Sequence, residues 1–240
     1  MLSLWVMTLG VLMGIETVQP ETPRLIEISD LIAYVEVIEV TPEIGEQALE
    51  PLPPGIYRTF PAQKAQVRFL RFLKGEVRAE SDEAVVVKKE NGFFLSTAKR
   101  RVLYLKQKEG FCEALGNLGG ESRLPSAMWE LHRRVGKGYG VIVGALGEPS
   151  GLVAVALRGR HFAPLVPESE SWMRTIVKSI SIDELGVAEI QLEPGNYTIL
   201  LQKGKEVYHP YRLVDGFYPY VILNEEIRWK IIYIKAGSQR

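Results

Sequence analysis

Cysteine is almost missing from this chain. Its single Cys112 excludes an intrachain disulfide and any metal site built on paired thiols, since both need a second cysteine. With no histidine nearby in sequence, Cys112 reads as a small buried apolar residue and not as a nucleophile. Histidine is nearly as scarce. His132, His161 and His209 are the three present, and none stands in an HExxH or HxxE spacing, so no helix places two imidazoles on one face for zinc. Charge of either sign is not in excess. Lys+Arg and Asp+Glu both number 29, and the balance holds within residues 21–135. That leaves no basic surplus to advertise nucleic acid or an anionic membrane as a partner. The longest basic run, Lys99-Arg100-Arg101, reads as the solvated approach to a strand. A Walker loop and a G-x-S-x-G elbow are both lacking, and Gly136-x-Gly138-x-Gly140 precedes a strand, where a dinucleotide fingerprint needs a helix. Asp183 and Glu184 are adjacent, so in a turn or strand they point apart, which is poor geometry for an acid–base pair. No enzyme activity, cofactor or metal is therefore expected, and His132, beside Arg133 on a helical stretch, reads as a surface histidine.

Long apolar runs are lacking too. The longest, MLSLWVMTLGVLMGI, covers the first fifteen residues, short of the roughly 20 that cross a bilayer as a helix. It has the length of a signal-peptide core but neither a positive n-region nor a small-x-small cleavage site. Either translation starts upstream of Met1, or the segment stays on as a weak anchor; a buried N-terminal strand is the remaining alternative. No lipobox cysteine follows, which excludes a lipoprotein. Export is expected, with a mature chain beginning between about Glu16 and Thr22 and carrying no transmembrane span.

Alternation of period two is what the chain has in quantity. In Asp183–Leu201, Ala188, Ile190 and Leu192 share one face while Val187, Glu189, Gln191 and Glu193 share the other, the pattern of a half-buried strand. Asp183 and Gly186 form the turn before it. Glu193-Pro194-Gly195-Asn196 has the residue order of a type II turn, with φ > 0 at Gly195, so a hairpin is expected, returning through Tyr197, Ile199 and Leu201. Asn196-Tyr197-Thr198 fits a glycosylation sequon, in a turn where Asn is common anyway. Earlier strands are expected at Leu31–Ile38, at Ala65–Leu73 with a bulge between Phe69 and Leu70, at Ala84–Val87, beginning at Phe93-Phe94-Leu95, and at Arg101–Lys106. Leu31–Ile38 is mostly apolar on both faces, as barrel and sandwich strands often are. Gln19–Pro23 reads as a polar spacer, and Thr41–Pro61, with five prolines, as a long excursion. Pro125–Val135 is the one helix expected, with Met128, Leu131 and Val135 on its buried stripe and Gly136 at its C-terminal cap. Further strands follow at Gly140–Gly144, Leu152–Gly159, Thr175–Ile182, Val207–Leu213, Tyr218–Leu223 and Glu226–Ile234. The fold class is all-β, in two modules: residues 1–23 as apolar segment and spacer, 24–135 as a barrel ending in a helix, and 136–240 as a β-sandwich.

Residues 138–235 resemble the carboxypeptidase regulatory-like, or transthyretin-like, domains. The matching pieces are Gly140–Gly144, Gly147-x-Pro149, Val153-x-Val155-x-Leu157, Ile182-Asp183-x-x-Gly186 and Leu192-x-Pro194-Gly195-x-Tyr197. That resemblance implies a seven-stranded sandwich with a structural or interaction role and no catalytic residues to transfer. The aromatic-rich tail after Tyr208 departs from the pattern. Residues 24–120 resemble the OB-fold module of the tissue inhibitors of metalloproteinases through Ser29–Ala33, Val67-x-x-x-x-Phe72-Leu73-Lys74-Gly75, Arg101–Leu105 and the glycine-rich return at Gly116–Gly120. In that family an N-terminal cysteine amine sits on the target's zinc. This chain has no cysteine before Cys112, so that activity does not carry over.

The aromatic run Tyr208, Tyr211, Phe217, Tyr218 and Tyr220 is the candidate contact surface, because an amphipathic ring covers area at low entropy cost. The competing reading places the same rings in the sandwich core and its rim. The function expected is that of an exported, non-enzymatic interaction or envelope-associated protein, with a protein or a cell-envelope polysaccharide as partner. Its rivals are a protease inhibitor acting through Thr41–Pro61 and a hydrolase whose site has no recognisable motif.

Overall fold

The computed structural model describes residues 22–44, 60–76, 82–90, 92–119, 123–161, 170–209 and 220–235. The first half contains α1 (Thr22–Ile28), β1 (Leu31–Thr41), β2 (Gln63–Lys74), β3 (Glu83–Lys88), β4 (Arg100–Lys108) and β5 (Phe111–Gly119). These five strands close into a barrel in the order β1-β2-β3-β5-β4. All pairs are antiparallel except β3 with β5. The unit is an OB-like barrel, whose closure removes the free edges an open sheet would expose. Alternate residues of β1 point inward, where Leu31, Ala33, Val35 and Val37 meet Val67, Val86, Leu103 and Leu105. The intervening Ile32 and Tyr34 point outward, yet they are buried as well, under a helix described below. That double burial is why β1 is apolar on both faces.

β2 bends as its pattern requires. Arg71 pairs with Tyr34 and Phe69 with Val35, which leaves Leu70 as the extra residue of a bulge. Phe93–Leu95 does not form a strand. It crosses the barrel with Phe93 and Leu95 buried, and Gln63 takes the place of a strand neighbour. The Gln63 amide donates to the Leu95 carbonyl at 3.1 Å, and its oxygen accepts from the Leu95 N–H at 2.8 Å. The fifth barrel strand is instead Phe111–Gly119, much of which reads in sequence as a glycine-rich return. Nearby Lys88 is fully buried. Its ammonium donates to the carbonyls of Phe60, Pro61 and Lys89 at 3.3, 2.8 and 2.9 Å, and desolvation holds its pKa below the ordinary lysine value. α1 begins inside the expected spacer. Pro23 is tolerated there because the first turn of a helix leaves its N–H groups unpaired anyway, and Leu25 and Ile26 are buried.

The second half contains β6 (Tyr139–Leu146), β7 (Val153–Arg158), α3 (Glu170–Met173), β8 (Ile176–Ser181), β9 (Val187–Leu192), β10 (Gly195–Lys203), β11 (Glu206–Tyr208), β12 (Tyr220–Leu223) and β13 (Trp229–Lys235). One sheet runs β11-β10-β7-β8 with β12 also on β10; the other runs β13-β6-β9. Val141, Val143, Ala154, Ala156, Ile190, Ile199 and Leu201 are among the residues that fill the sandwich between them. The expected hairpin is overturned here. β9 pairs with β6 and β10 with β7, so residues 193–194 carry the chain from one sheet to the other. Alternation shows that both strands bury a face, but it does not show which neighbour each one takes. Gly195 has φ +156°, far from the value near +80° at the third position of a type II turn. The Tyr197 hydroxyl reaches back to donate to the Glu193 carbonyl at 2.8 Å, as in the tyrosine corners of β-sandwiches.

The helix α2 (Arg123–Val135) joins the halves. Leu124, Ala127 and Met128 share one apolar cluster with Ile32, Tyr34, Val102 and Tyr104 of the barrel and with Ile142, Val187 and Trp229 of the three-stranded sheet. Leu131 is partly buried in that cluster. Val135, which the spacing puts on the same stripe, is 67% exposed at the helix's last residue. On the far side of the sandwich, Trp172 of α3 covers Val155, Leu157 and Leu200 on the outer face of the five-stranded sheet. Among the described residues no helix is long and apolar enough to cross a membrane.

Candidate functional site

Two members of the aromatic run, Tyr208 and Tyr220, stand on an interrupted edge of the five-stranded sheet. β7 pairs along one side of β10, so β11 and β12 both occupy the other side, one after the other. β11 ends at Tyr208, opposite Leu201, and β12 begins at Tyr220, opposite Thr198. The two tyrosines face opposite ways. Leu201 belongs to the sandwich core, and Tyr208 packs partly buried against that core. Its hydroxyl bonds the Glu206 carboxylate, which holds the phenol pKa above its ordinary value. Tyr220 shares the outer face and is 41% exposed, with the Arg160 guanidinium 5.0 Å from its ring centre. Ile222 follows on the same face at 42%. Tyr211, Phe217 and Tyr218 lie outside the described residues, as does most of the Thr41–Pro61 excursion.

The Asp183 turn joins the two halves. One carboxylate oxygen of Asp183 accepts from the N–H groups of Leu185 and Val187 at 3.0 and 2.9 Å. The other accepts from the Arg71 guanidinium on β2 at 2.6 Å. Gly186 supplies φ +78° and donates its N–H to the Asp183 carbonyl at 2.9 Å. Pro194 and Gly195 lie in the sheet-switching corner.

His132 is not a bystander on the surface. Its imidazole stacks on the Trp229 indole at 4.0 Å between centroids, and its Nε2 lies 3.0 Å from Glu189 on β9. That bond outweighs burial and holds the Glu189 carboxyl below its ordinary range. The indole N–H of Trp129 donates to the Trp229 carbonyl at 2.8 Å. This histidine–carboxylate pair lines neither of the clefts described next. Cys112 is in the barrel core, its thiol pKa raised by desolvation. The pair's visible role is to fasten α2 to the sheet. Among the described residues no group of three or more His, Cys, Asp or Glu side chains is placed to hold a metal ion.

Two clefts remain. One, of about 230 Å³, lies at the seam between barrel and sandwich and is lined by Tyr34, Arg100, Pro125, Glu184 and Tyr233 among others. The other, of about 640 Å³, lies where the two sheets meet and is lined by Lys137, Tyr139, Arg158, Lys178, Gln191 and Glu193 around the buried Tyr197. The sequence gives no sign of the second cleft, because its four charges come from four separate segments and form no run. No family model matches this chain. No curated protein matches it.

Proposed function

We propose that this is an exported, non-enzymatic interaction protein in which an OB-like barrel supports a transthyretin-like sandwich. The observation that carries this reading is the outer face of β12. Tyr220 and Ile222 stand exposed there beside Arg160, on a strand that follows β11 along the same side of β10. Aromatic and arginine side chains of this kind supply the anchors of protein interfaces. The sheet-switching tyrosine corner, with Leu192-x-Pro194-Gly195-x-Tyr197, supports the carboxypeptidase regulatory-like reading of the sandwich. The strand order of the barrel supports kinship with the OB modules of the metalloproteinase inhibitors. The partner is a protein or a polysaccharide of the cell envelope.

Fractionation tests the proposal. Wild type is expected in the envelope or extracellular fraction, with an N-terminus between about Glu16 and Thr22. Recovery of intact Met1 in the cytoplasm removes the export part. Tyr220→Ala with Ile222→Ser is expected to release the protein from the envelope fraction while leaving its melting midpoint nearly unchanged, since surface substitutions usually move stability by about 0.5 kcal/mol or less. Undiminished retention of that variant rules out β12 as the contact face.

A further inference from the structure

The larger cleft has a composition that points to a ligand. Lys137, Arg158 and Lys178 bring three cations to it against one carboxylate, Glu193. All four side chains are exposed, and among the described residues none of them has an ion pair. Arg158 lies over the Tyr197 ring at 5.9 Å, which orients its guanidinium without neutralising it. Three unpaired cations in one concavity attract an anion. Glu193 restricts which anion, because a carboxylate repels a ligand that is negative all along and accepts hydrogen bonds from one that also carries hydroxyls. The Gln191 amide and the Tyr139 phenol add groups that both donate and accept. The chain's overall charge of zero gives no long-range pull on a nucleic acid.

We infer that this cleft binds an acidic saccharide, a sugar chain whose carboxylates reach Lys137, Arg158 and Lys178 and whose hydroxyls donate to Glu193. The inference rests on the interaction-protein reading above and selects the polysaccharide class of partner. It adds a saccharide contact in the cleft between the sheets to the contact face proposed on β12.

The test measures binding of the full chain to polygalacturonate, with dextran and polyglutamate as the neutral and the acidic non-sugar comparators. Polygalacturonate is expected to bind best, with affinity falling as salt is raised. Lys137→Gln with Lys178→Gln is expected to weaken it about tenfold, because each exposed charge contact contributes modestly. Neither lysine has an ion partner to lose, so the melting midpoint should hold. Glu193→Gln separates the chemistry from simple charge attraction. A hydroxyl-accepting role predicts unchanged or weaker binding to polygalacturonate despite the added positive charge, and stronger binding overturns it. Equal affinity for polyglutamate, or no binding to polygalacturonate, also overturns the inference. Envelope retention lost with Tyr220→Ala and Ile222→Ser but kept with the double lysine variant overturns the cleft alone and leaves the interaction-protein reading in place.

Discussion

Asp183 performs two tasks with one carboxylate, and they can be separated by substitution. One oxygen organises the turn through two backbone N–H groups, and the other meets Arg71 across the barrel–sandwich seam. Asp183→Asn keeps an acceptor for the turn and loses only the ionic part. Because both partners are about a third exposed, the loss should be less than ~1 kcal/mol. Asp183→Ala removes the turn contacts as well and should cost ~1–3 kcal/mol. Urea unfolding of both variants, combined with Arg71→Ala in a double-mutant cycle, measures the two contributions. Equal losses for Asn and Ala would show that the ion pair outweighs the turn. Gly195 and Tyr197 give a second case. A Cβ on Gly195 would lie 3.3 Å from the Tyr197 hydroxyl and 3.4 Å from the ring, so Gly195→Val must push the corner tyrosine aside and should destabilise by ~1–2 kcal/mol. Tyr197→Phe keeps the ring and loses the bond to Glu193, at about 1 kcal/mol. If Gly195→Val melts like wild type, the corner does not depend on this contact.

Strands that bury a face are legible in the sequence, and the neighbour each one takes is not. Val67 and Phe69 on one face with Leu70 on the other announce the bulge, because a period-two pattern cannot change face without an extra residue. Phe93–Leu95 is as apolar as a strand, but the Leu95 backbone is paired by the Gln63 side chain, which periodicity does not report. Phe111–Gly119 hides behind its glycines, of which Gly116 leaves room for the Leu25 side chain of α1, whose tip would lie 2.5 Å from a Cβ there. The expected hairpin fails for a similar reason: Tyr197 turns into the core and ties back to Glu193, so β10 joins the opposite sheet. Among the candidate contacts, Tyr208 and Tyr220 belong to one run in the sequence yet face opposite ways, and the charges of the cleft are invisible until folding gathers them. α2 is recognisable from its stripe, but its fastening by His132 to Glu189 is not. That bond has a pH signature. The Glu189 carboxyl is held below its ordinary 4.5 in the folded chain, so its contribution is present above about that pH and disappears as pH falls through the lower folded value. Urea unfolding at about pH 7 and again at about pH 3.5 should show a smaller acid-induced loss for Glu189→Gln than for wild type. An identical loss assigns the acid sensitivity to other paired carboxylates such as Glu113 and Glu130.

The barrel and the sandwich share one helix, and this bears on how the protein unfolds. Each half has its own core, and a chain with two cores can melt in two steps when the surface between them is small and polar. Here the seam is apolar and continuous. Leu124, Ala127 and Met128 are buried, and they touch barrel residues and sheet residues in one cluster. Arg71 with Asp183 and His132 with Glu189 add polar ties across the same layer. Losing either half would expose the face of α2 that it covers, so unfolding one removes apolar burial that stabilises the other. Calorimetry of the full chain should therefore show a single transition whose calorimetric and van't Hoff enthalpies agree. Met128→Ala, which opens the shared cluster, should lower stability by ~2–5 kcal/mol and move that one transition as a whole. Val135→Ala, on the same helix but exposed, should leave it in place. If the trace instead resolves into two peaks and Met128→Ala moves only the peak of the barrel, the helix belongs to the barrel and the sandwich stands alone. The cleft of Lys137, Arg158 and Lys178 could then be studied in an isolated sandwich.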